Sequence, residues 1–400
     1  MKRLSLLGMT ALALFACLPI VDSAPSAIHA QDVTITIRQE DKVKAPPFNG
    51  KRPAVDVAIL LDTSNSMDGL ISQAKAQLWK IVQEFGTAEK AGQTPTLRVS
   101  VFEYGNSSLP ASEGYVRQVC QLTDDLDKVS EALFGLTTNG GDEYCGTVIN
   151  EALKRLDWSK VDNSYKSIFI AGNEPFTQGS VNYKDACRKA ILAGVVVNTI
   201  HCGDYESGVK GKWQHGAELA EGKYLNINQD RVVVRIEAPQ DKIIIKLNKE
   251  FNKTYLWYGA ERSRKAWSSN QAIQDTNSYQ AGSGGGRGMT KASGLYRNTG
   301  RDLVDSIEAD GELLSKVGDS ELPEAMQRMT VAERKAHITE MATKRAKLKK
   351  QMVEITKARE AFITKKRIEI AGEAAGSTLG DAVSTAVRDQ LIKSGFDIKK

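Results

Sequence analysis

The sequence predicts an α/β fold: a doubly wound, mostly parallel central sheet with helices on both faces, followed by an α-helical, coiled-coil C-terminal region. Three observations predict it. Apolar, β-branched runs of strand length recur at residues 55–61, 97–104, 167–171 and in "GVVVNTIHCG", and such continuous runs suit strands buried on both faces. Stretches with helical periodicity separate them, the arrangement that parallel strands require. Beyond residue 294 the strand runs cease and helix formers dominate.

The chain has 400 residues, 41% of them hydrophobic and 26% charged. That is ordinary for a globular protein and sufficient for more than one core. A net charge of +5 is too small at this length to mark a nucleic-acid binder, and no specific nucleic acid is expected as a partner. Residues 1–30 read as a signal peptide: Lys2 and Arg3, an apolar stretch over 4–20, then small residues up to Ala30. A membrane anchor and a lipoprotein attached at Cys17 are the alternatives. The mature chain is expected outside the cytoplasm, periplasmic or secreted. Cys120, Cys145, Cys187 and Cys202 then leave two disulfides with three connectivities open, or four buried thiols.

The elements follow in order. Residues 31–51 form an N-terminal segment, and 55–61 a central strand. Residues 70–85 make an amphipathic helix, 97–104 a strand, and "YVRQVCQL" an edge strand. "DDLDKVSEALFGL" is a helix opened by acids that suit its N-terminus. Helix at 146–156, strand at 167–171, helix at 183–192, strand in "GVVVNTIHCG", helix in "WQHGAELAEG" and strand in "KYLNI" complete the alternation, and "DKIIIKLNKEF" adds a closing helix. The α/β domain is placed at 52–255. Residues 256–293, with "AGSGGGRG", read as a flexible linker, and 294–400 as the helical region. There Thr330 and Glu333 form a capping box before a helix over 331–371. Met341, Leu348, Ile355 and Phe362 recur every seven residues, and Arg345 and Arg359 interrupt the neighbouring seam. Twelve Lys or Arg against five Asp or Glu over 331–370 give this helix a basic surface, either simply solvated or suited to an anionic envelope polymer. The helices are also a candidate for self-association.

The central strand ends in "LLDTSNSMDG", residues 60–69. Asp62, Ser64 and Ser66 thus stand at the C-terminal edge of the sheet, where open α/β sheets bind ligands. One carboxylate with two hydroxyls is a set of hard oxygen donors for Mg2+, or Mn2+ or Ca2+. Hydroxyls hold such an ion without neutralising it, so the ion keeps affinity for an incoming carboxylate. The alternative is that Asp62 and Ser64 merely cap the following turn.

The DxSxS pattern, placed after an apolar strand and before a helix, resembles the metal-ion-dependent adhesion site of the von Willebrand factor type A family. The strand and helix order over 52–255 is similar to that family's Rossmann-like fold. The resemblance implies oxygens from two further loops, a threonine in the second and an aspartate in the third. In "TTNGGDEYCG" the threonine position falls on Glu143, with Thr137 and Thr138 earlier in the loop, and in "SIFIAG" Gly172 stands where the acid belongs. One carboxylate is lost and another gained, so Asp62, Ser64, Ser66, Glu143 and Thr138 are the candidate ligands. Pro175 and Phe176 either form a partner-contacting rim or cover the sheet. The resemblance further implies a last helix, here "DKIIIKLNKEF", whose shift alters affinity.

The function this implies is non-enzymatic: capture of a protein partner's acidic residue through the ion, with the helical tail docking or oligomerising. An envelope scaffold holding anionic polymer through the basic helix is the second reading. A metal-dependent hydrolase is the third, disfavoured because no histidine lies near DxSxS and neither GxSxG nor HExxH occurs.

Overall fold

β1 (Ala54–Asp62) is shielded along its whole length, with only Ile59 partly open. Val57, Ile59 and Leu61 face one layer of helices, and Ala58 and Leu60 face the other. A strand apolar on both sides belongs at the centre of a covered sheet, and β1 occupies that place. In the computed structural model, which describes residues 52–161, 164–228, 236–371 and 378–398, β3 (Thr96–Tyr104) and β5 (Tyr165–Gly172) pair with it in parallel on either side. The short β2 (Ala88–Glu89) precedes β3. β4 (Val116–Thr123) adds an antiparallel edge beyond β3, and β6 (Val196–Cys202) and β7 (Tyr224–Ile227) continue the other side in parallel. The order is β4-β3-β1-β5-β6-β7. The expected signal peptide at 1–30, Cys17 and the segment at 31–51 lie outside the described residues.

Helices cover both faces. α1 (Asp68–Gly86) and α2 (Leu126–Phe134) lie on the Val57 side. α3 (Cys145–Arg155), α4 (Tyr183–Leu192) and α6 (Trp213–Leu219) lie on the Leu60 side, with the short α5 (Tyr205–Lys210) before α6. Asp125 caps α2 by accepting from the amides of Asp127 and Lys128, as its place before the first turn requires. The fold class is therefore as the sequence predicts. Cys120, Cys145, Cys187 and Cys202 are all free, and all but Cys120 are buried.

Residues 256–293 are not a flexible linker. After α7 (Asp241–Asn252) come α8 (Glu261–Gln280) and α9 (Gly284–Ala292). The glycines of "AGSGGGRG" serve close packing: a Cβ on Gly286 would stand 3.0 Å from that of Trp79, while Gln83 of α1 donates to the Gly286 carbonyl at 2.6 Å. The same helix carries two cations fully inside. Arg287 reaches Asp127 of α2 at 2.8 Å and also pairs with Asp275, and Lys291 reaches Asp275 at 3.1 Å. Buried charges persist only when paired. This network ties the helices to the α/β layers.

α10 (Leu303–Ala309) and α11 (Leu313–Lys316) lead to α12 (Val331–Ala371), whose start shows the expected capping box, with the Glu333 amide on Thr330 Oγ1 at 3.3 Å and the Thr330 amide on Glu333 Oε2 at 2.7 Å. The seam of α12 does not face another long helix. It packs on α7, α9 and α10 of the same chain, and the arginines that break the heptad pattern are part of that packing. Arg345 donates to Asp302 at 2.7 Å, Asp305 at 2.9 Å and the Thr254 carbonyl at 2.7 Å; Arg359 donates to Asp241 at 2.6 Å. The basic surface of the helix loses these charges to the interior.

α13 (Leu379–Lys393) departs furthest from expectation. It lies against α1 and the sheet, burying Leu379, Val383, Ala386, Val387 and Leu391 among Val57, Leu61, Phe169 and Ile200. Gln73 of α1 accepts the Leu379 amide at 3.0 Å and Gln77 the Gly380 amide at 2.8 Å. β8 (Asp397–Ile398) then pairs with β2. The helix that closes the α/β layers is thus the last of the chain, while α7, expected in that role, packs on α9 and α12. Accordingly the helical region expected at 294–400 is not a separate body: its described residues belong to the same compact unit as the α/β layers. Among the described residues no helix is long and apolar enough to cross a membrane.

Candidate metal centre

Three loops meet beyond the C-terminal ends of β1 and β5. The first follows β1. The Thr63 amide donates to the Tyr104 carbonyl at 2.8 Å, and its hydroxyl to Glu103 at 3.2 Å, so Thr63 anchors the loop on β3. Asp62 is fully buried, and its Oδ1 accepts the Ser64 amide at 2.8 Å. A single 3-10 turn, Asn65–Met67, then brings Ser66 Oγ to 3.2 Å from Ser64 Oγ. Ser64 is buried, and Ser66 is exposed at the rim. The DxSxS side chains are gathered as the motif predicts.

The second loop, between α2 and α3, is held by the Asn139 amide on the Thr63 carbonyl at 2.9 Å and by the Ser107 amide on the Gly140 carbonyl at 2.5 Å. It delivers Glu143, which is 4% exposed, against Asp62: a Cβ on Gly105 would lie 2.8 Å from Glu143 Cγ and 2.9 Å from Asp62 Oδ1. Gln178 accepts the Glu143 amide at 3.1 Å. Thr138 does not join them. Its hydroxyl donates instead to Asp68 at the start of α1, so Thr138 is withdrawn from the candidate ligands.

The third loop explains the missing acid. A Cβ on Gly172 would stand 2.4 Å from Tyr104 Oη and 3.1 Å from Asp62 Oδ2. The Tyr104 hydroxyl, donating to the Ala171 carbonyl at 3.0 Å, fills the room an aspartate would need. The next residue, Asn173, is the one the sequence reading missed: its Nδ2 donates to Ser66 Oγ at 3.2 Å. Its position directly after the glycine was the available signal. Phe176 covers the sheet, packed on Trp213 and Tyr183 with ring centroids 4.9 and 5.5 Å away, while Pro175 is exposed. His201 is a packed residue whose Nε2 lies 3.2 Å from the Asn173 carbonyl, and burial lowers its pKa.

Electrostatics single out the carboxyl pair. Burial raises the pKa of Asp62. Glu143 is pushed up to about 9, by burial first and then by the adjoining Asp62 carboxyl. Two carboxylates this close cannot both ionise without a cation. The residues fit a hard divalent ion: the donors are all oxygen, Asp62 Oδ2 is left to the adjoining Glu143 carboxyl, and Asn173 Oδ1 is buried with no hydrogen-bond partner, which a fold leaves only at a cost. Among the described residues no cluster of three His, Cys, Asp or Glu is assembled, so carboxylates alone do not make this site.

Residues 56–212 match the family model of the von Willebrand factor type A domain. That segment is a von Willebrand factor type A domain. Solved structures similar to the chain include the SpRpn10 VWA domain, at 17% identity over 45% of this chain and 91% of that one, with a TM-score of 0.34. BatB from Bacteroides thetaiotaomicron is similar at 15% identity over 56% and 99%, TM-score 0.33. Proximal thread matrix protein 1 from the mussel byssus, in a form with a zinc-occupied MIDAS motif, is similar at 17% identity over 45% and 43%, TM-score 0.34. The chain thus spans less than half of the mussel protein's length. No curated protein matches it.

Proposed function

We propose that the VWA domain binds a protein partner through a divalent ion, Mg2+ or Mn2+ before Ca2+, held by Asp62, Ser64, Ser66 and Glu143. The observation that carries this reading is the Asp62–Glu143 carboxyl pair, buried side by side next to the Ser64 and Ser66 hydroxyls. When bound, the ion supplies a Lewis-acidic position for an acidic side chain of the partner. Asp62 and Glu143 provide the charge that keeps it, and the two serines add donors without further neutralisation. Exposed Ser66 and Pro175 mark the side from which a partner approaches.

Binding rather than catalysis is favoured because the sequence carries neither GxSxG nor HExxH, and the carboxyls beside Ser64, those of Asp62 and Glu143, are the groups the ion would engage. The leader-like composition of residues 1–30, with Lys2 and Arg3 before an apolar stretch over 4–20, supports a location outside the cytoplasm. The test is calorimetric titration of Mn2+ into the native chain and into Asp62→Ala, followed by acetate as a mimic of the acidic residue. Binding of acetate only to the Mn2+-loaded native chain is expected. Equal behaviour of the two chains contradicts the proposal.

A further inference from the structure

Asn173 is fixed by nearly everything around it. Its carbonyl stands 3.2 Å from His201 Nε2, and its side-chain Nδ2 donates to Ser66 Oγ at 3.2 Å. The neighbouring Glu174 amide donates to Glu143 Oε2 at 3.4 Å, so the same turn also steadies the second carboxyl. One group is left over: Asn173 Oδ1, buried and without a partner. An amide oxygen buried with nothing to accept from, on a side chain whose Nδ2 holds Ser66, is arranged for a cation, because a buried acceptor left unpaired is costly.

We infer that Asn173 supplies the third loop's oxygen to the ion, and that as an uncharged donor it sets how strongly the loaded site takes an acidic partner. This rests on the proposed ion site. Tyr104 closes the Gly172 position to any side chain, so the loop's donor moves one residue on and changes from carboxylate to amide. Carboxamide oxygens are regular ligands of hard divalent ions. With two carboxylates already contributed by Asp62 and Glu143, a third on this loop would overcompensate the dipositive charge. The neutral amide leaves the ion its attraction for an incoming carboxylate.

The two properties therefore separate on substitution. Mn2+ is titrated calorimetrically into the native chain, Asn173→Ala and Asn173→Asp, and acetate into each Mn2+-loaded form; melting in chelator checks that all three are folded alike. Asn173→Ala weakens Mn2+ binding about tenfold, the scale for losing a group that holds a metal or orients its ligands. Asn173→Asp tightens Mn2+ binding and weakens acetate binding several-fold. If both variants bind Mn2+ more weakly, Asn173 only positions Ser66 through its N–H, which a carboxylate lacks, and the inference falls while the ion site stands. Unchanged Mn2+ affinity in both also overturns it. Failure of the native chain to bind Mn2+ removes the ion site itself and the inference with it.

Discussion

Restoring the family's acid at the third loop with Gly172→Asp should damage the fold instead of improving the site. The new Cβ meets Tyr104 Oη at 2.4 Å and Asp62 Oδ2 at 3.1 Å, and the former is closer than any ordinary carbon–oxygen contact. Tyr104 is fully buried and hydrogen-bonded to the Ala171 carbonyl, so it has no free direction in which to yield. Overpacking of this kind costs about 1–3 kcal/mol, and a carboxyl buried without a partner beside Asp62 and Glu143 costs about 1–3 kcal/mol more. The expected loss is about 2–6 kcal/mol in chelator. Tyr104→Phe, by removing the obstructing oxygen, should recover part of it. A double-mutant cycle should show a coupling of at least about 1 kcal/mol between the two positions. Urea unfolding of the native chain, both single variants and the double variant, all with chelator at pH 7, measures it. A Gly172→Asp chain within about 0.5 kcal/mol of native, or strictly additive variants, would refute the steric explanation of the missing acid.

Two further outcomes are expected. Because the Glu143 carboxyl is held up to about 9, it is protonated at neutral pH in the ion-free protein, and an ion that uses it must displace that proton. Apparent Mn2+ affinity should therefore rise with pH by up to about tenfold per unit below 9 and level off above it, with proton release seen by calorimetry in buffers of different ionisation enthalpy. In Glu143→Gln the slope should flatten, and an equally steep slope there would exclude Glu143. Ending the chain at residue 377 should abolish cooperative folding. Leu379, Val383, Val387, Leu391 and Phe396 are each at most 3% exposed, and together their burial is worth about 8–15 kcal/mol, as much as a typical domain's whole stability. Circular dichroism melting checks this, and a melt within a few degrees of the full chain would contradict it.

What the sequence made legible was what depends on near neighbours in the chain. β1 and the DxSxS turn were readable because a run apolar on both faces and three oxygens at alternate positions lie within a dozen residues. The capping box at Thr330 and Glu333 is equally local. The illegible parts depend on partners far along the chain. The heptad reading treated Arg345 and Arg359 as interruptions because Asp302, Asp305 and Asp241, which neutralise them, lie outside any helical window. The glycine run read as flexible because composition does not show that Trp79 approaches Gly286, or that Asp127 waits for Arg287. α13 read as part of a separate tail because its sockets, Gln73 and Gln77, are some three hundred residues earlier. At the metal centre, the missing acid at Gly172 was visible from order alone. Its cause, Tyr104, and its replacement, Asn173, required the three loops to be seen together.

The central claim is that Asp62, Ser64, Ser66 and Glu143 surround a cation, and its most direct measurement is anomalous scattering from crystals grown with Mn2+. The account predicts a single strong peak in contact with the two serine hydroxyls and the Asp62 and Glu143 carboxylates. A map with no peak there, or with manganese elsewhere and the Asp62–Glu143 pair still closed on itself, would contradict it.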